Sequence, residues 1–229
     1  FTYISDNADS LSSCCRLRNE IQDNGFSYTL GAGGVSTGSK SVLTVNLNRC
    51  IQYAVRNGRP YTEFLEDVVD RMHKFQLAYN ENLKHLQSKG MLPLFDAGYI
   101  TMGRQYLTIG VNGLVEAAEF LGIEISDNPQ YAAFVQDVLG IVEKYNKQYR
   151  TADVLFNCEM IPAENVGVKH AKWDREDGYI VPRDCYNSYF YAVEDPSLNV
   201  LDKFRLHGRR YVEHLTGGSA LHMNLEEHL

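Results

Sequence analysis

The sequence predicts an α/β fold built on a largely parallel sheet. Short apolar stretches rich in β-branched residues are typical of buried strands. Such stretches lie at 42–47, 106–111 and 154–156. Stretches with apolar residues at helical spacing lie at 48–57, 60–89, 112–121 and 128–149. Strands that alternate with helices pair in parallel and have both faces covered. No repeat, low-complexity tract or linker interrupts the pattern, so we expect residues 1–229 to form a single domain.

Local signals mark where the predicted helices begin and end. Gly58 and Gly90 end the first two helices, and Gly122 ends the third. Asn128 followed by Pro129 is a typical cap and first turn for the fourth helix. These signals agree with the hydrophobic periodicity and fix the order of the elements.

Four further segments complete the predicted secondary structure. Residues 1–4 are assigned to the end of a strand, and Pro162 to the start of a helix. The charged run at 172–177, which includes Trp173, is predicted as a solvated turn. Residues 219–225 are predicted as a fourth strand of the sheet.

Composition argues against several classes of function. The 229-residue chain has a formal net charge of −7, which disfavours non-specific binding to nucleic acids or anionic membranes. No apolar run approaches the roughly 20 residues that span a bilayer, and no signal peptide is visible. The five cysteines show no CxxC spacing, so they predict neither a disulfide framework nor a zinc site. A reducing cytoplasm is the expected compartment.

Two adjacent cysteines, Cys14 and Cys15, form the most unusual local feature. They lie between serines and arginines in a stretch, 12–18, that lacks strand or helix periodicity and therefore predicts a loop. Arg16 directly follows Cys15, and a neighbouring guanidinium lowers the pKa of a thiol. The pair is a candidate reactive site, although an ordinary buried cysteine pair fits the same residues.

The segment 157–165 combines the signals of an anion site. A strand ends, Pro162 stands at a first helical position, and small residues leave backbone N–H groups exposed. A helix N-terminus attracts phosphate because its free N–H groups and its dipole favour negative charge. A plain strand-to-helix turn is the alternative interpretation.

The order of these features resembles one family, the anaerobic (class III) ribonucleoside-triphosphate reductases, which are glycyl-radical enzymes. In that family a Cys-Arg dipeptide on a finger loop, matched here by Cys15 and Arg16, precedes a segment TGS-x-x-V-x-T-x-N-L. The matching residues of that segment are Thr37, Gly38, Ser39, Val42, Thr44, Asn46 and Leu47. Three later segments match in the same order: TIG-x-x-GL-x-E at 108–116, PAE at 162–164 and TGG-x-x-x-H at 216–222.

This resemblance implies part of a ten-stranded α/β barrel of the ribonucleotide reductase and glycyl-radical type. Residues 1–229 would form the C-terminal half of the catalytic barrel. The sequence contains no counterpart of the family's four-cysteine zinc module, glycyl-radical loop, first barrel half or ATP cone. We therefore expect a fragment of a longer enzyme, without activity by itself.

The resemblance also assigns roles to single residues. Cys15 is the expected thiyl residue because it precedes arginine as in the family's pattern, and Cys14 and Ser39 are the other catalytic candidates. Asn46 is expected near the ribose of the substrate. Phosphate is expected at the helix start formed by Pro162, Ala163, Glu164 and Asn165. Asn165 stands where the family usually has glycine, which is a departure from its pattern.

Three other matched residues have less direct roles. Gly110 and Gly113 are expected to allow close packing. His222 could touch the site, but a lone histidine on a strand is more often packed or hydrogen-bonded.

Cofactor and partners follow from the same resemblance. The substrate would be a ribonucleoside triphosphate. The glycyl radical would lie outside residues 1–229 and would be made by a separate S-adenosylmethionine-dependent iron–sulfur activase. We expect no metal within the chain, and a homodimer for the parent enzyme.

The reductant is predicted from two residues. Family members that oxidise formate carry asparagine where this chain has Ser39, whereas Cys14 offers a second thiol beside Cys15. Two thiols can deliver two electrons and be restored by a thioredoxin-like protein, so we expect a protein dithiol and not formate. Adjacent cysteines pair only with strain, so Cys158 or a cysteine outside the sequence is an alternative partner. Packing of Cys14 under the loop is the alternative interpretation of this second thiol.

Two rival functions stay open at this point. One is another glycyl-radical enzyme, acting on an acyl or diol substrate, which would share the barrel and the cysteine loop. The other is a non-catalytic α/β domain that is structural or binds a nucleotide at 162–165.

Overall fold

The computed structural model describes residues 10–12, 18–20, 38–161 and 164–222. Within these ranges the strands are β1 Ser10–Ser12, β2 Arg18–Glu20, β3 Gly38–Asn46, β4 Gln105–Asn112 and β5 Leu155–Met160. The helices are α1 Leu47–Arg56, α2 Tyr61–Ser88, α3 Pro93–Asp96, α4 Leu114–Phe120, α5 Pro129–Tyr149, α6 Glu164–Glu176, α7 Val200–Leu206 and α8 Arg209–Val212, with a 3-10 turn at Met102–Arg104.

The strands β1 and β2 form an antiparallel pair in which Ser12 lies opposite Arg18. The segment 12–18, predicted as a loop, therefore starts and ends in paired strands. Cys14 and Cys15 belong to the connection and lie outside the described residues, as do residues 1–4.

The strands β3, β4 and β5 form a parallel sheet with β4 in the middle. Helices α1 and α2 lie between β3 and β4 in the chain, and α4 and α5 lie between β4 and β5. The predicted α/β class with a parallel sheet is thus confirmed. The strand β3 begins earlier than predicted, at Gly38, and its pairing with β4 is shifted between Ser39 and Ser41 by a β-bulge.

One face of the sheet carries the apolar core. Successive side chains of a strand point to opposite faces, and Leu107, Ile109 and Val111 of β4 all point to the side on which α2 and α5 pack. All three side chains are fully buried. Phe156, Cys158 and Met160 continue this surface on β5. The alternate residues of both strands therefore face the other side of the sheet.

The predicted start of α5 is confirmed at the level of single atoms. Asn128 caps the helix by accepting a hydrogen bond from the Tyr131 N–H at 2.8 Å, and Pro129 is the first helical residue. A proline costs nothing there because a first-turn N–H has no partner within the helix.

The strand β5 is longer than predicted and runs from Leu155 to Met160. The apolar run indicated only 154–156, because Asn157 and Glu159 interrupt it. These two residues alternate with Cys158 and Met160, which is the period of two that a strand with two unlike faces requires.

The prediction of a fourth strand at 219–225 is wrong over 219–222, where the structure has irregular backbone; residues 223–225 lie outside the described ranges. Pairing with β5 occurs earlier, as a single parallel bridge between Gly218 and Glu159. The Tyr191 hydroxyl donates to the carbonyl of His222 at 2.6 Å and accepts from its N–H at 2.9 Å. The N–H and the carbonyl of His222, which pairing with a strand would require, are therefore both bonded to Tyr191.

The prediction of a turn at 172–177 is also wrong, although the predicted exposure to solvent holds for most of the run. Most of this run belongs to the last turns of α6, and the Asp174 side chain is fully buried. The other five residues of the run, Trp173 among them, are exposed. A charged run on a helix can bury one member when partners from distant segments converge on it.

Gly110 sits where a side chain would not fit, as the family motif implies. A Cβ there would collide with Ile161 Cγ1 and would lie 2.6 Å from Thr44 Oγ1. Gly113 has a φ of 78°, in the left-handed region that favours glycine. The first residue thus allows close packing on the sheet, and the second allows the turn into α4.

A buried histidine joins α2 to α5. His73 Nδ1 lies 2.8 Å from the Val69 carbonyl oxygen and Nε2 lies 2.8 Å from Asn146 Oδ1. Its ring stacks on Tyr149 and packs against Phe156. Burial lowers the pKa of His73, and the two hydrogen bonds oppose this shift only in part.

The stability of the protein is expected to fall as pH drops below about 6.5, the ordinary histidine pKa. Because the pKa of His73 is lower in the folded state, the unfolded chain binds the proton first and is favoured in acid. The slope is at most about 1.4 kcal/mol per pH unit for each such group. Unfolding of the intact protein at pH 7.5 and 5.5 measures it.

His73→Gln should flatten this dependence, and His85→Gln, an exposed site on the same helix, should leave it unchanged. An undiminished pH dependence in His73→Gln would contradict the assignment.

Candidate active site on the inner face of the sheet

The face of the sheet turned away from α2 and α5 is polar. We call it the inner face, and it carries side chains of all three strands. Thr44, Gly110 and Glu159 stand in one row of the register, and Val42, Thr108 and Asn157 stand in the next. The Ser39 hydroxyl joins the second row, since its Oγ lies 2.8 Å from Thr108 Oγ1.

On β4 and β5 the inner face is buried although its residues are polar, whereas on β3 it includes the exposed side chain of Val42. Thr108, Asn157 and Glu159 are each at most 2% exposed. Buried polar groups cost free energy unless they are hydrogen-bonded, so their concentration on one face points to a binding or reactive surface. Ser39, the one predicted catalytic residue with a described side chain, lies on this face.

A second polar cluster lies just beyond the carboxyl ends of the strands, where open α/β sheets bind ligands. We call it the carboxyl-edge cluster. Its centre is the buried carboxylate of Asp174 on α6. This carboxylate accepts from Asn46 Nδ2 at 2.9 Å and from Arg49 Nε at 2.6 Å. Tyr186 and Asn48 also donate to it, at 2.7 and 3.2 Å.

Asn46 connects this cluster to the sheet. It is the last residue of β3 and the cap of α1, and its Oδ1 accepts from the Arg49 N–H at 3.1 Å. Its Nδ2 is held by Asp174. The amide is therefore fixed in orientation, although an amide has further hydrogen-bonding capacity that a ligand can use.

His170 and Asn112 form the other half of the cluster. Asn112 ends β4, and its Oδ1 accepts from His170 Nδ1 at 2.9 Å, which assigns the proton to that nitrogen. Asn112 Nδ2 lies 3.2 Å from the Asn187 carbonyl oxygen. Burial lowers the pKa of His170. Burial, followed by the hydrogen bond to Asp174, raises the pKa of Tyr186. Both shifts favour the neutral forms.

The predicted phosphate site coincides with the start of a helix. The helix α6 begins at Glu164 and follows β5 closely, and the Asn165 side chain is exposed. Pro162 and Ala163 lie outside the described residues. The predicted helix therefore exists, and its first described turn lies after the carboxyl end of a strand.

The cysteines lie in unlike surroundings. Cys158 is on β5 but faces the apolar core, and burial strongly raises its pKa. Burial also raises the pKa of Cys50 to about 12. These thiols favour the protonated form, which is unreactive in exchange. Cys14 and Cys15 lie outside the described ranges.

Neither metal ligation nor a membrane span is indicated in the described part of the chain. It has no group of three or more His, Cys, Asp and Glu residues arranged to hold a metal ion. It also has no helix that combines the length and the apolar character needed to cross a bilayer.

Comparison with known proteins decides the family. A family model described as anaerobic ribonucleoside-triphosphate reductase matches residues 1–229. The chain belongs to this family. The resemblance seen in its motifs is thereby confirmed, and the reductase family is one of glycyl-radical enzymes. No curated protein matches the sequence significantly.

Solved structures of the reductase family agree with this assignment. The anaerobic ribonucleotide reductase from Thermotoga maritima with dATP bound in the specificity site is 30% identical, with a TM-score of 0.76 over 84% of this chain and 34% of that chain. The same enzyme with glycerol in the active site is 28% identical, with a TM-score of 0.77 over 93% and 34%. Its complex with dATP and CTP is 30% identical, with a TM-score of 0.75 over 82% and 33%. The chain spans about a third of the length of these structures.

The carboxyl-edge residues Asp174, His170 and Tyr186 were missed in the sequence. The first two are spaced four apart on α6, which places them on one side of that helix. That spacing was the available signal, but the run of charges around Asp174 concealed it. Tyr186 lies in irregular structure and gives no periodic signal.

Asp174→Ala is expected to lower the free energy of unfolding by about 3 kcal/mol, because it leaves buried donors and the Arg49 guanidinium without their acceptor. Asp177→Ala is the matched control, since Asp177 also binds Arg49, at 2.7 Å, but is largely exposed. It should cost less than about 1 kcal/mol. Denaturant unfolding of the two variants measures the difference, and equal losses would refute the central role of Asp174.

Proposed function

We propose that this chain is part of the catalytic barrel of an enzyme that reduces ribonucleoside triphosphates to deoxyribonucleoside triphosphates without oxygen. The observation that carries the proposal is the match of the reductase family model to all 229 residues, including the cysteine stretch. A buried polar face on the sheet of the same chain supports it. Such an enzyme is an oxidoreductase of deoxyribonucleotide biosynthesis, which supplies DNA replication.

In this proposal Cys15 is the residue that attacks the substrate. When present, the glycyl radical supplies a hydrogen acceptor for the Cys15 thiol. Only cysteine serves here, since its S–H bond is weak enough to exchange hydrogen with a glycyl radical and a ribose carbon. The residue then takes the 3′ hydrogen of the ribose.

The net reaction balances when a dithiol is the reductant. The ribonucleoside triphosphate loses its 2′ hydroxyl as water and gains a hydrogen at that carbon. The dithiol supplies two electrons and two protons and becomes a disulfide. Cys14 is proposed as one thiol of this pair. Cys15 is not the other, because it must return the 3′ hydrogen to the ribose and regain its radical at the end of each turnover, so the second thiol is proposed to come from a cysteine outside the sequence. Cys158 is a poor partner because its thiol faces the apolar core, on the side of the sheet opposite Ser39.

The inner face and the carboxyl edge would orient the substrate. Ser39, bonded to Thr108, offers a hydroxyl on the inner face. Asn46 would lie near the ribose, in an orientation fixed by Asp174. Pro162, Ala163, Glu164 and Asn165 would hold phosphate at the start of α6, where free N–H groups and the helix dipole favour an anion.

Partners follow from the same chemistry. An S-adenosylmethionine-dependent iron–sulfur activase would generate the glycyl radical, and a thioredoxin-like protein would reduce the disulfide. We propose a homodimer for the whole enzyme and a cytoplasmic location. The net charge of −7 is unsuited to nucleic acid as a partner.

The family assignment favours this function over both rivals. An enzyme for acyl or diol substrates would share the barrel, but the matched family is that of the triphosphate reductases. A purely structural domain would have no reason to bury polar groups on one face of its sheet at a cost in stability.

Cys15→Ala in the product of the complete gene should reduce turnover to background, because no other side chain replaces its hydrogen-transfer chemistry. The free energy of unfolding should change by no more than about 1 kcal/mol. Conversion of a radiolabelled ribonucleoside triphosphate by the activated enzyme under strict anaerobiosis measures the effect. Cys50→Ala is the control and should remain active. A Cys15→Ala enzyme that keeps a sizeable share of activity would show that another residue is the thiyl site.

The reductant is tested by supplying each candidate separately. A thioredoxin system should support repeated turnover of the activated enzyme, whereas formate alone should support none. The reason is that Ser39 offers a single donor where an amide offers two, and that Cys14 provides one thiol of the reducing pair. Formate-dependent turnover without any response to thioredoxin would overturn this assignment.

A further inference from the structure

Asn157 is the most unusual residue of the inner face. It lies on β5 between Phe156 and Cys158, which both point into the apolar core, so its own side chain points to the opposite side. In the register of the sheet it stands beside Thr108, whose hydroxyl lies 2.8 Å from that of Ser39. Asn157 thus extends the row of polar groups that starts with the predicted catalytic serine.

The amide of Asn157 is buried without hydrogen bonds to the described residues. It is 1% exposed, and neither Oδ1 nor Nδ2 has a partner. Asn112 and Asn146, by contrast, are bonded to His170 and His73. Gln76 and Asn80 are buried with only their amide oxygens unpartnered, so among the described residues Asn157 is the buried amide in which both polar atoms lack a partner. An unsatisfied buried amide destabilises the fold, so its presence indicates a use outside folding.

The surroundings of Asn157 restrict what the amide can meet. Gly217 approaches it from the edge of β5, where a Cβ would lie 3.1 Å from Asn157 Nδ2. The Gly217 N–H donates to the Cys158 carbonyl at 2.7 Å, which fixes that approach. The backbone of Gly217 therefore borders the amide at the edge of β5, while the side chain itself lies on the inner face.

The chemistry of the inner face favours a hydroxyl group as that partner. Glu159 lies two residues further along the same face and is almost fully buried. A carboxyl group is an unfavourable neighbour for phosphate or another anion. A neutral amide, with both donors and an acceptor, complements a hydroxyl, which also donates and accepts.

We propose that Asn157 binds the ribose hydroxyl groups of the substrate and so determines how the sugar is oriented on the inner face. This inference rests on the proposed function, since it assumes that a ribonucleotide is bound there. At position 39, where formate-oxidising family members carry an asparagine, this chain has only the hydroxyl of Ser39. In our proposal Asn157 on β5 supplies an amide to the same face of the sheet.

The test is Asn157→Leu in the product of the complete gene. Leucine has the same branching as asparagine but no polar atoms. It can therefore replace a buried amide that does not stabilise the fold without loss of stability. The thermal midpoint should stay the same or rise, while KM for the ribonucleoside triphosphate should increase at least about tenfold, the factor expected for one lost hydrogen bond of moderate strength. Asn157→Ala, which is smaller, should show the same increase in KM if leucine does not fit.

Asn146→Leu is the matched control. Its amide is also buried, but it is bonded to His73 on the helix side of the sheet. This variant should have a lower thermal midpoint and an unchanged KM. Asn157→Leu should therefore raise KM without lowering the thermal midpoint, whereas Asn146→Leu should lower the thermal midpoint without changing KM.

The outcomes distinguish this inference from the proposed function. If the wild-type enzyme turns over ribonucleotides and both Asn157 variants keep its KM, the inference is wrong and the proposed function stands. A lowered thermal midpoint in Asn157→Leu and Asn157→Ala, with KM unchanged, would show that the amide serves folding. Absence of turnover in the wild-type enzyme would overturn the proposed function and this inference with it.

Discussion

The strands β4 and β5 are buried on both faces, but only one of these faces is apolar, and the rest of the structure depends on that asymmetry. Leu107, Ile109 and Val111 anchor α2 and α5 to one side of β4. Thr108 and Gly110, which alternate with them, face the other side. The apolar face supplies the stability that allows the opposite face to bury polar groups at a cost. The alternation of side chains along each strand therefore decides which residues stabilise the fold and which form the polar face.

The buried carboxylate of Asp174 links segments that are far apart in the chain. It joins the end of β3 and the start of α1, through Asn46 and Arg49, to α6 and to Tyr186. These are the segments that follow the carboxyl ends of the strands, where the proposed substrate would bind. The position of α6, and with it the proposed phosphate site, is thus held by one carboxylate and its donors. A cluster of this kind positions a site without taking part in its chemistry.

Elements could be predicted from the sequence where the burial of a residue follows from its near neighbours in the chain. The helices α2 and α5 and the strand β4 could be predicted because their apolar residues repeat at a fixed period, and Asn128 with Pro129 marks a boundary by itself. The burial of Asp174 could not be predicted, since its partner Arg49 lies 125 residues away. The bridge at Gly218 was missed for the same reason, since its partner Glu159 belongs to a distant segment. The polar half of β5 was missed because Asn157 and Glu159 interrupt its apolar run. Of the candidate site, motif resemblance singled out Ser39, although the predicted strand began only at Val42, and it gave no indication of the unsatisfied amide of Asn157.

The central claim is that the inner face of the sheet is the surface on which the substrate reacts. The most direct measurement is a crystal structure of the product of the complete gene with a ribonucleoside triphosphate bound. The account predicts that the ribose lies over the inner face, within hydrogen-bonding distance of Asn157, with the Cys15 sulfur facing its 3′ carbon and phosphate at the start of α6. A ribose bound on the helix side of the sheet, or away from Ser39 and Asn157, would contradict it.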